Sequence, residues 1–394
     1  MRMRKGTSVL MGLLLAGVAA TPAHAETIRS MQWHLDSMKA DEMWKVSTGK
    51  GVTVAVIDSG VADVPELEGQ VLPGKNLASS YKGDERTDYD NHGTGMAATI
   101  AGTGKGPGGD GAFGLAPGAK ILPIRVPHEE GQDTPSWVEA IRYAADSNAK
   151  IINISMGVEK EDPGLRDAVK YALGKGKLIF AAVGNSGNTL NRLEYPGATP
   201  GVVGVGAINQ QADAVTESQH GPQVDLSAPG NEIVAACAGK TGICKTSGTS
   251  DATALTSASA ALIWSAHPDW TNNQVLRVLL NTSGKPRDGV ERNDYIGYGV
   301  VRPRVALSTP GDPGPADVYP LPDLAAAEAK GKAPSGSPAP SGGAKAPEKA
   351  TRVPEAAEEA GGLGTGAWIA IGLGACLLIG GAVTAVVVRR TNRP

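Results

Sequence analysis

Gly49-Lys50-Gly51-Val52-Thr53-Val54-Ala55-Val56-Ile57-Asp58-Ser59-Gly60 decides how the rest of this 394-residue chain is read. Residues 52–57 form a nearly continuous apolar, β-branched run, the pattern of a parallel strand covered on both faces. An acid follows at once, then a serine and a glycine, so the Asp58 carboxylate falls at the carboxyl end of a strand. Open α/β sheets build their sites there. Taken alone, Asp58 is readable as a metal ligand, a turn residue or a catalytic acid.

Two later segments narrow the choice. Asn91-His92-Gly93-Thr94 opens a small-residue helix predicted over residues 93–101, where Ala97, Ala98 and Ala101 permit tight packing. Of six histidines, only His92 sits in a glycine-flanked helix start that could present its ring. Thr246-Ser247-Gly248-Thr249-Ser250 leads into a second helix, predicted over residues 251–266. Its N-terminus offers free amide donors and the positive end of the helix dipole. A serine there is ordinarily an N-cap, and a lone histidine is ordinarily structural. Together the three supply what a nucleophilic serine needs: a base to take its proton and a buried carboxylate to hold that base. Asp, His, Ser is one of three unrelated orders in which this set occurs.

A further predicted strand, residues 178–183, delivers Asn185 on the turn Gly184-Asn185-Ser186-Gly187. Its amide could donate to a developing oxyanion, or it could be a plain turn asparagine. The strand over residues 150–154 ends in Ser155-Met156-Gly157, whose exposed backbone could pair with an extended substrate. Gly104-Lys105-Gly106-Pro107-Gly108-Gly109 fits a dinucleotide fingerprint by spacing only. It follows a helix and contains proline, so it reads as a surface loop.

The ends carry addresses. Arg2, Arg4 and Lys5, an apolar run over residues 9–20 and Ala23-His24-Ala25 make residues 1–25 a secretory signal peptide. Its removal lowers the formal charge of −3 by three units. The chain has no basic block that would suggest nucleic acid. Residues 367–388 include an uncharged stretch long enough to span a bilayer as one helix; Cys376 lies within it as a packing residue. Arg389, Arg390 and Arg393 follow, placing residues 389–394 in the cytoplasm as a basic tail and the bulk of the chain outside. Residues 308–366, rich in Pro, Ala, Gly and Ser, are expected to be a disordered tether. The remaining 26–307 is enough for one large α/β domain. Cys237 and Cys244 in an exported protein favour a disulfide over free thiols or metal ligands, and no CxxC or HExxH pattern supports a metal site.

With these blocks in view, residues 32–307 resemble the subtilisin-like serine peptidases. The matching segments are Gly49 to Val61, His92-Gly93-Thr94, Ile152 to Gly157, Asn185-Ser186-Gly187, Tyr195-Pro196, Ala228-Pro229-Gly230 and Ser247 to Ser250. The resemblance implies a doubly wound, mostly parallel sheet flanked by helices and a serine endopeptidase acting on protein or peptide substrates. It implies Asp58 as orienting acid, His92 as base, Ser250 as nucleophile, and Asn185 with the Ser250 amide as oxyanion hole. Ser155, Met156 and Gly157, with Gly131 to Thr134, would line the cleft for residues before the cut. No cofactor is expected; calcium is possible by resemblance, with no identifiable site.

The signal peptide, proline-rich tether and single span are also similar to the mycosins, membrane-anchored subtilases of type VII secretion. The membrane and a secretion complex are then expected partners, and a catalytically weak, protease-fold subunit of such a complex is the alternative function. Two departures matter. Asp251 follows the candidate nucleophile where the family has an apolar residue, with the expected effect of slowing acylation or selecting a cationic residue after the cut. Only a short segment precedes the first strand, too little for a folding-chaperone prodomain, so residues 26–44 are expected to wrap the domain rather than be removed.

Overall fold

A computed structural model describes residues 26–127, 135–239 and 242–332. The expected signal peptide, membrane span and basic tail, Cys376, and Gly131 to Thr134 lie outside the described residues. Among the described residues no helix is long and apolar enough to cross a membrane.

The opening stretch forms β1 (Thr53–Asp58). It sits inside a sheet with β2 (Lys75–Asn76), β3 (Lys120–Arg125), β4 (Ile151–Ile154), β5 (Leu178–Ala182), β6 (Val203–Ile208) and β7 (Leu226–Pro229). The order is β2-β3-β1-β4-β5-β6-β7, with every neighbouring pair parallel. Asp58 registers with Arg125 at the carboxyl ends of β1 and β3. The unbroken apolar run of β1 has a direct cause: Val54 and Val56 enter the core on one face, while Ala55 and Ile57 enter the core on the other.

Three short helices, α1 (Ile28–Met31), α2 (Trp33–Met38) and α3 (Ala40–Met43), wrap the domain from its N-terminal side. Leu35, Met38, Ala40 and Met43 are buried in the first core. Gln32 Nε2 donates to the carbonyls of Phe113 (2.7 Å) and Val234 (2.9 Å), pinning the wrap to two segments distant in sequence. The same face carries α4 (His92–Ala101), while α5 (Pro135–Asp146) and α6 (Pro163–Gly174) cover the opposite one.

Helix α7 (Thr249–Ala266) is buried from Thr249 to Trp264. Its alanine-, serine- and threonine-rich sequence lets backbone approach backbone. Thr253, Thr256 and Ser259 donate to carbonyls four residues back at 2.8, 2.8 and 2.7 Å, satisfying hydroxyls that would otherwise be costly to bury. Helix α8 (Asn272–Thr282) follows behind a capping box formed by Thr271 and Gln274. Strands β8 (Ile233–Ala236) and β9 (Ile243–Thr246) form an antiparallel pair just before α7. A disulfide joins Cys237 to Cys244 at its far end, with Cα atoms 5.8 Å apart.

The folded region extends beyond the boundary expected at residue 307. Helix α9 (Pro303–Ser308) leads into residues that pack rather than dangle, and α10 (Pro322–Lys332) follows. Leu321 is 3% exposed in the core. Arg277 Nη1 and Nη2 hold the carbonyls of Pro313, Pro315 and Val318, and Asp323 Oδ2 accepts from the Gly201 amide at 2.7 Å. Residues 308–332 of the expected tether are therefore part of the domain. Composition misled because the contacts that dock this proline-rich segment, Leu321 in the core and Arg277 on its carbonyls among them, join it to residues distant in sequence.

Candidate active site

Three strand-to-helix connections bring the candidate residues to one end of the sheet. Asp58, 1% exposed, ends β1. Its Oδ1 accepts from the Ser59 amide at 2.8 Å and lies 2.7 Å from His92 Nδ1. Its Oδ2 has no hydrogen-bond partner among the described residues. The approach of α4 to β1 requires glycine at 93: a Cβ there would stand 2.2 Å from the Gly60 carbonyl oxygen and 3.1 Å from Asp58 Oδ1.

The start of α4 is built around Asp88, which the sequence reading missed. Its Oδ2 accepts from the Thr94 amide (2.7 Å) and hydroxyl (2.5 Å), and its Oδ1 accepts from the Asn91 amide (3.0 Å). The Ser59 hydroxyl lies 2.8 Å from Asp88 Oδ1 and accepts from the Gly93 amide at 2.9 Å. Burial raises the Asp88 carboxyl above its ordinary range, against the pull of these donors. An acid a few residues before a helix start is a capping signal, and that signal was available in the sequence. Arg125 is a second omission. Fully buried at the end of β3, it donates from Nε to the Ser59 carbonyl (3.3 Å) and from Nη2 to that of Lys82 (3.0 Å).

Ser250 lies in the first turn of α7, 9% exposed. First-turn amides have no intrahelical acceptor, so its N–H is open to another partner. Its Oγ donates to the Ser155 carbonyl at 2.7 Å, and no hydrogen bond joins it to His92 among the described residues. Asn185 is held beside it: its Oδ1 accepts from the Thr249 amide at 2.9 Å and lies 3.1 Å from the Thr249 hydroxyl. With Oδ1 committed, Nδ2 is the end left to donate. Ser155 and Met156 are buried behind the exit of β4, while Gly157 reaches the surface.

His92 keeps 30% of its side chain exposed. Burial opposes charge on the imidazole, but the Asp58 carboxylate and its hydrogen bond, with Asp90 and Asp251, outweigh it and push the pKa up to about 9. Asp251 is 2% exposed and accepts from the Thr246 hydroxyl at 2.8 Å. Burial lifts its carboxyl to about 6. At that depth it does not line a surface that a substrate would meet. Its expected selection of a cationic residue after the cut is therefore replaced by an electrostatic action on His92. No group of three or more His, Cys, Asp or Glu side chains among the described residues could hold a metal ion.

The Subtilase family pattern matches residues 49–299. The chain is 36% identical over 236 residues to the intracellular serine protease of Paenibacillus polymyxa, covering 58% of this chain and 71% of that protein. It superposes with a TM-score of 0.62 on MycP1, a serine protease and essential component of the type VII (ESX-1) secretion system. That match has 30% identity and covers 73% of this chain and 90% of the other. The periplasmic assembly from the ESX-5 inner membrane complex also aligns, at a TM-score of 0.64 and 26% identity over 83% and 92% of the two chains.

Proposed function

Because the chain belongs to the subtilase family, we propose that it is a serine endopeptidase working through Asp58, His92 and Ser250. The observation that carries this reading is the 2.7 Å contact of His92 Nδ1 with the buried Asp58 carboxylate, in a chain whose first-turn Ser250 follows a threonine that pins Asn185. In this reading Asp58 holds the imidazole tautomer and stabilises its charged form. His92 Nε2 takes the Ser250 proton as Oγ leaves the Ser155 carbonyl and attacks the scissile carbonyl carbon. The Ser250 amide and Asn185 Nδ2 receive the oxyanion. His92 then passes the proton to the leaving amine, and water attacking the acyl-enzyme repeats the sequence. Side chains and backbone amides carry every step, without a cofactor.

The substrate is a protein or peptide, its residues before the cut running along Ser155, Met156 and Gly157. Anchoring belongs to the same proposal. Residues 368–388 would hold the domain outside the cytoplasmic membrane, where the likeness to MycP1 and to the ESX-5 assembly supports a place in a secretion complex.

A serine-directed fluorophosphonate probe tests the chemistry: labelling of the wild-type chain and none of Ser250→Ala is expected. One observation favours a second reading, a protease-fold subunit with weak hydrolysis. The Ser250 hydroxyl is bonded to Ser155 rather than to His92. Absence of labelling across pH 6–10 would favour that reading.

A further inference from the structure

The slot between the exits of β4 and β5 is closed by one carboxylate. Gly157 and Gly184 follow these two strands without side chains, and both face Glu194. A Cβ on Gly157 would lie 2.7 Å from Glu194 Oε2, and one on Gly184 would lie 2.5 Å from Oε1. Val158 and Tyr195 exchange amide-to-carbonyl hydrogen bonds of 2.9 and 2.8 Å, which hold Glu194 against the β4 exit. Gln219 Nε2 donates to Oε1 at 2.6 Å and lies 2.9 Å from the Ser186 hydroxyl. Among the described residues, Oε2 accepts no hydrogen bond and no cation lies within ion-pair distance of the carboxylate. The nearby Arg192 is paired instead with Glu159 at 2.9 Å.

Position gives this carboxylate its meaning. Asn185, the next residue after Gly184, marks where the scissile carbonyl oxygen would sit, and Ser155 marks the edge along which the preceding substrate backbone would run. The side chain attached to that carbonyl must therefore leave between the two glycine exits. Building on the peptidase reading, we propose that Glu194 floors the subsite for the residue immediately before the cut and selects lysine or arginine there.

The physical ground is the half-buried, half-committed carboxylate. A long cationic side chain would supply the missing partner of Oε2 through a charge-assisted hydrogen bond. An aromatic or aliphatic one would strip water from Oε2 and leave it unpaired.

Peptides differing only in the residue before the cut, offered to the full-length chain, test this. Lys or Arg should exceed Leu or Phe by about 10- to 100-fold in kcat/KM, the worth of one hydrogen bond to a charged group. Glu194→Gln, which keeps an acceptor for Gln219, should bring the ratio near one in a protein whose Ser250 still labels with the fluorophosphonate. Glu194→Asp should retain part of the preference. A wild-type preference for apolar residues, or a ratio unmoved in a Glu194→Gln protein that still labels, overturns the proposal. A wild-type chain that does not label overturns the peptidase reading itself, and the proposal with it.

Discussion

Ser250 and Ser155 hold each other twice: Ser250 Oγ donates to the Ser155 carbonyl at 2.7 Å, and Ser155 Oγ donates to the Ser250 carbonyl at 3.0 Å. Asn153 Nδ2 donates to Ser155 Oγ and is itself fixed by the Ser257 hydroxyl on its Oδ1, so the exit of β4 is tied to α7 in two places. The candidate nucleophile thus rests on the strand proposed to receive substrate. Rotation of one side-chain torsion is the step that would turn it towards His92.

The charge state of His92 sets the pH profile. A base must be neutral to accept a proton, and this imidazole is pushed up to about 9. Fluorophosphonate labelling should therefore rise with pH through about 9. Asp251→Asn keeps an acceptor for Thr246 but removes one of the carboxylates behind the shift, so the midpoint should move down. A rate–pH curve with the same midpoint in both proteins would contradict the role assigned to Asp251.

Asn185→Ala removes the proposed oxyanion donor while sparing Asp58, His92 and Ser250. The expected loss is about 10² to 10³ in kcat with KM little changed. Steady-state kinetics on one peptide decides it, since a turn asparagine with no catalytic part would leave kcat near wild type.

The C-terminal boundary is testable by stability. Leu321→Ala should cost about 2–5 kcal/mol, as for other fully packed leucines. A chain ending at residue 307 should melt well below one ending at residue 332. Equal melting temperatures would show that residues 308–332 add nothing to the fold.

His34 predicts acid sensitivity. It is fully buried, with neither ring nitrogen hydrogen-bonded among the described residues, and burial followed by the Arg29 charge pulls it down to about 3. The folded state binds its proton more weakly than the unfolded state does. Stability is therefore intact above about 6.5 and falls as pH drops towards 3, by about 1.4 kcal/mol per pH unit. His34→Leu should flatten the melting temperature between pH 7 and 4, and an unchanged slope would assign the acid loss elsewhere.

Much of this was legible from residue order. The β1 run was read as residues 52–57 and is Thr53–Asp58, and the helix after His92 ends at Ala101 as expected. These elements are readable because their signals are local: apolar periodicity, glycine at a turn, small residues along a buried helix. Arg125 and Glu194 were not legible as site residues, because each is a charged residue in an ordinary context and its partners lie on other segments; Asp88, by contrast, carried a local capping signal.

The sequence by itself determined the chemistry on offer, an acid, an imidazole and a hydroxyl on suitable backbone, because residue types and their immediate neighbours decide that. Only the tertiary structure decided three other things. Asp251 turns inward to charge His92, the domain runs on to residue 332, and Glu194 closes the gap between two glycines. Burial and electrostatic contact depend on which distant segments meet, and no local pattern encodes that.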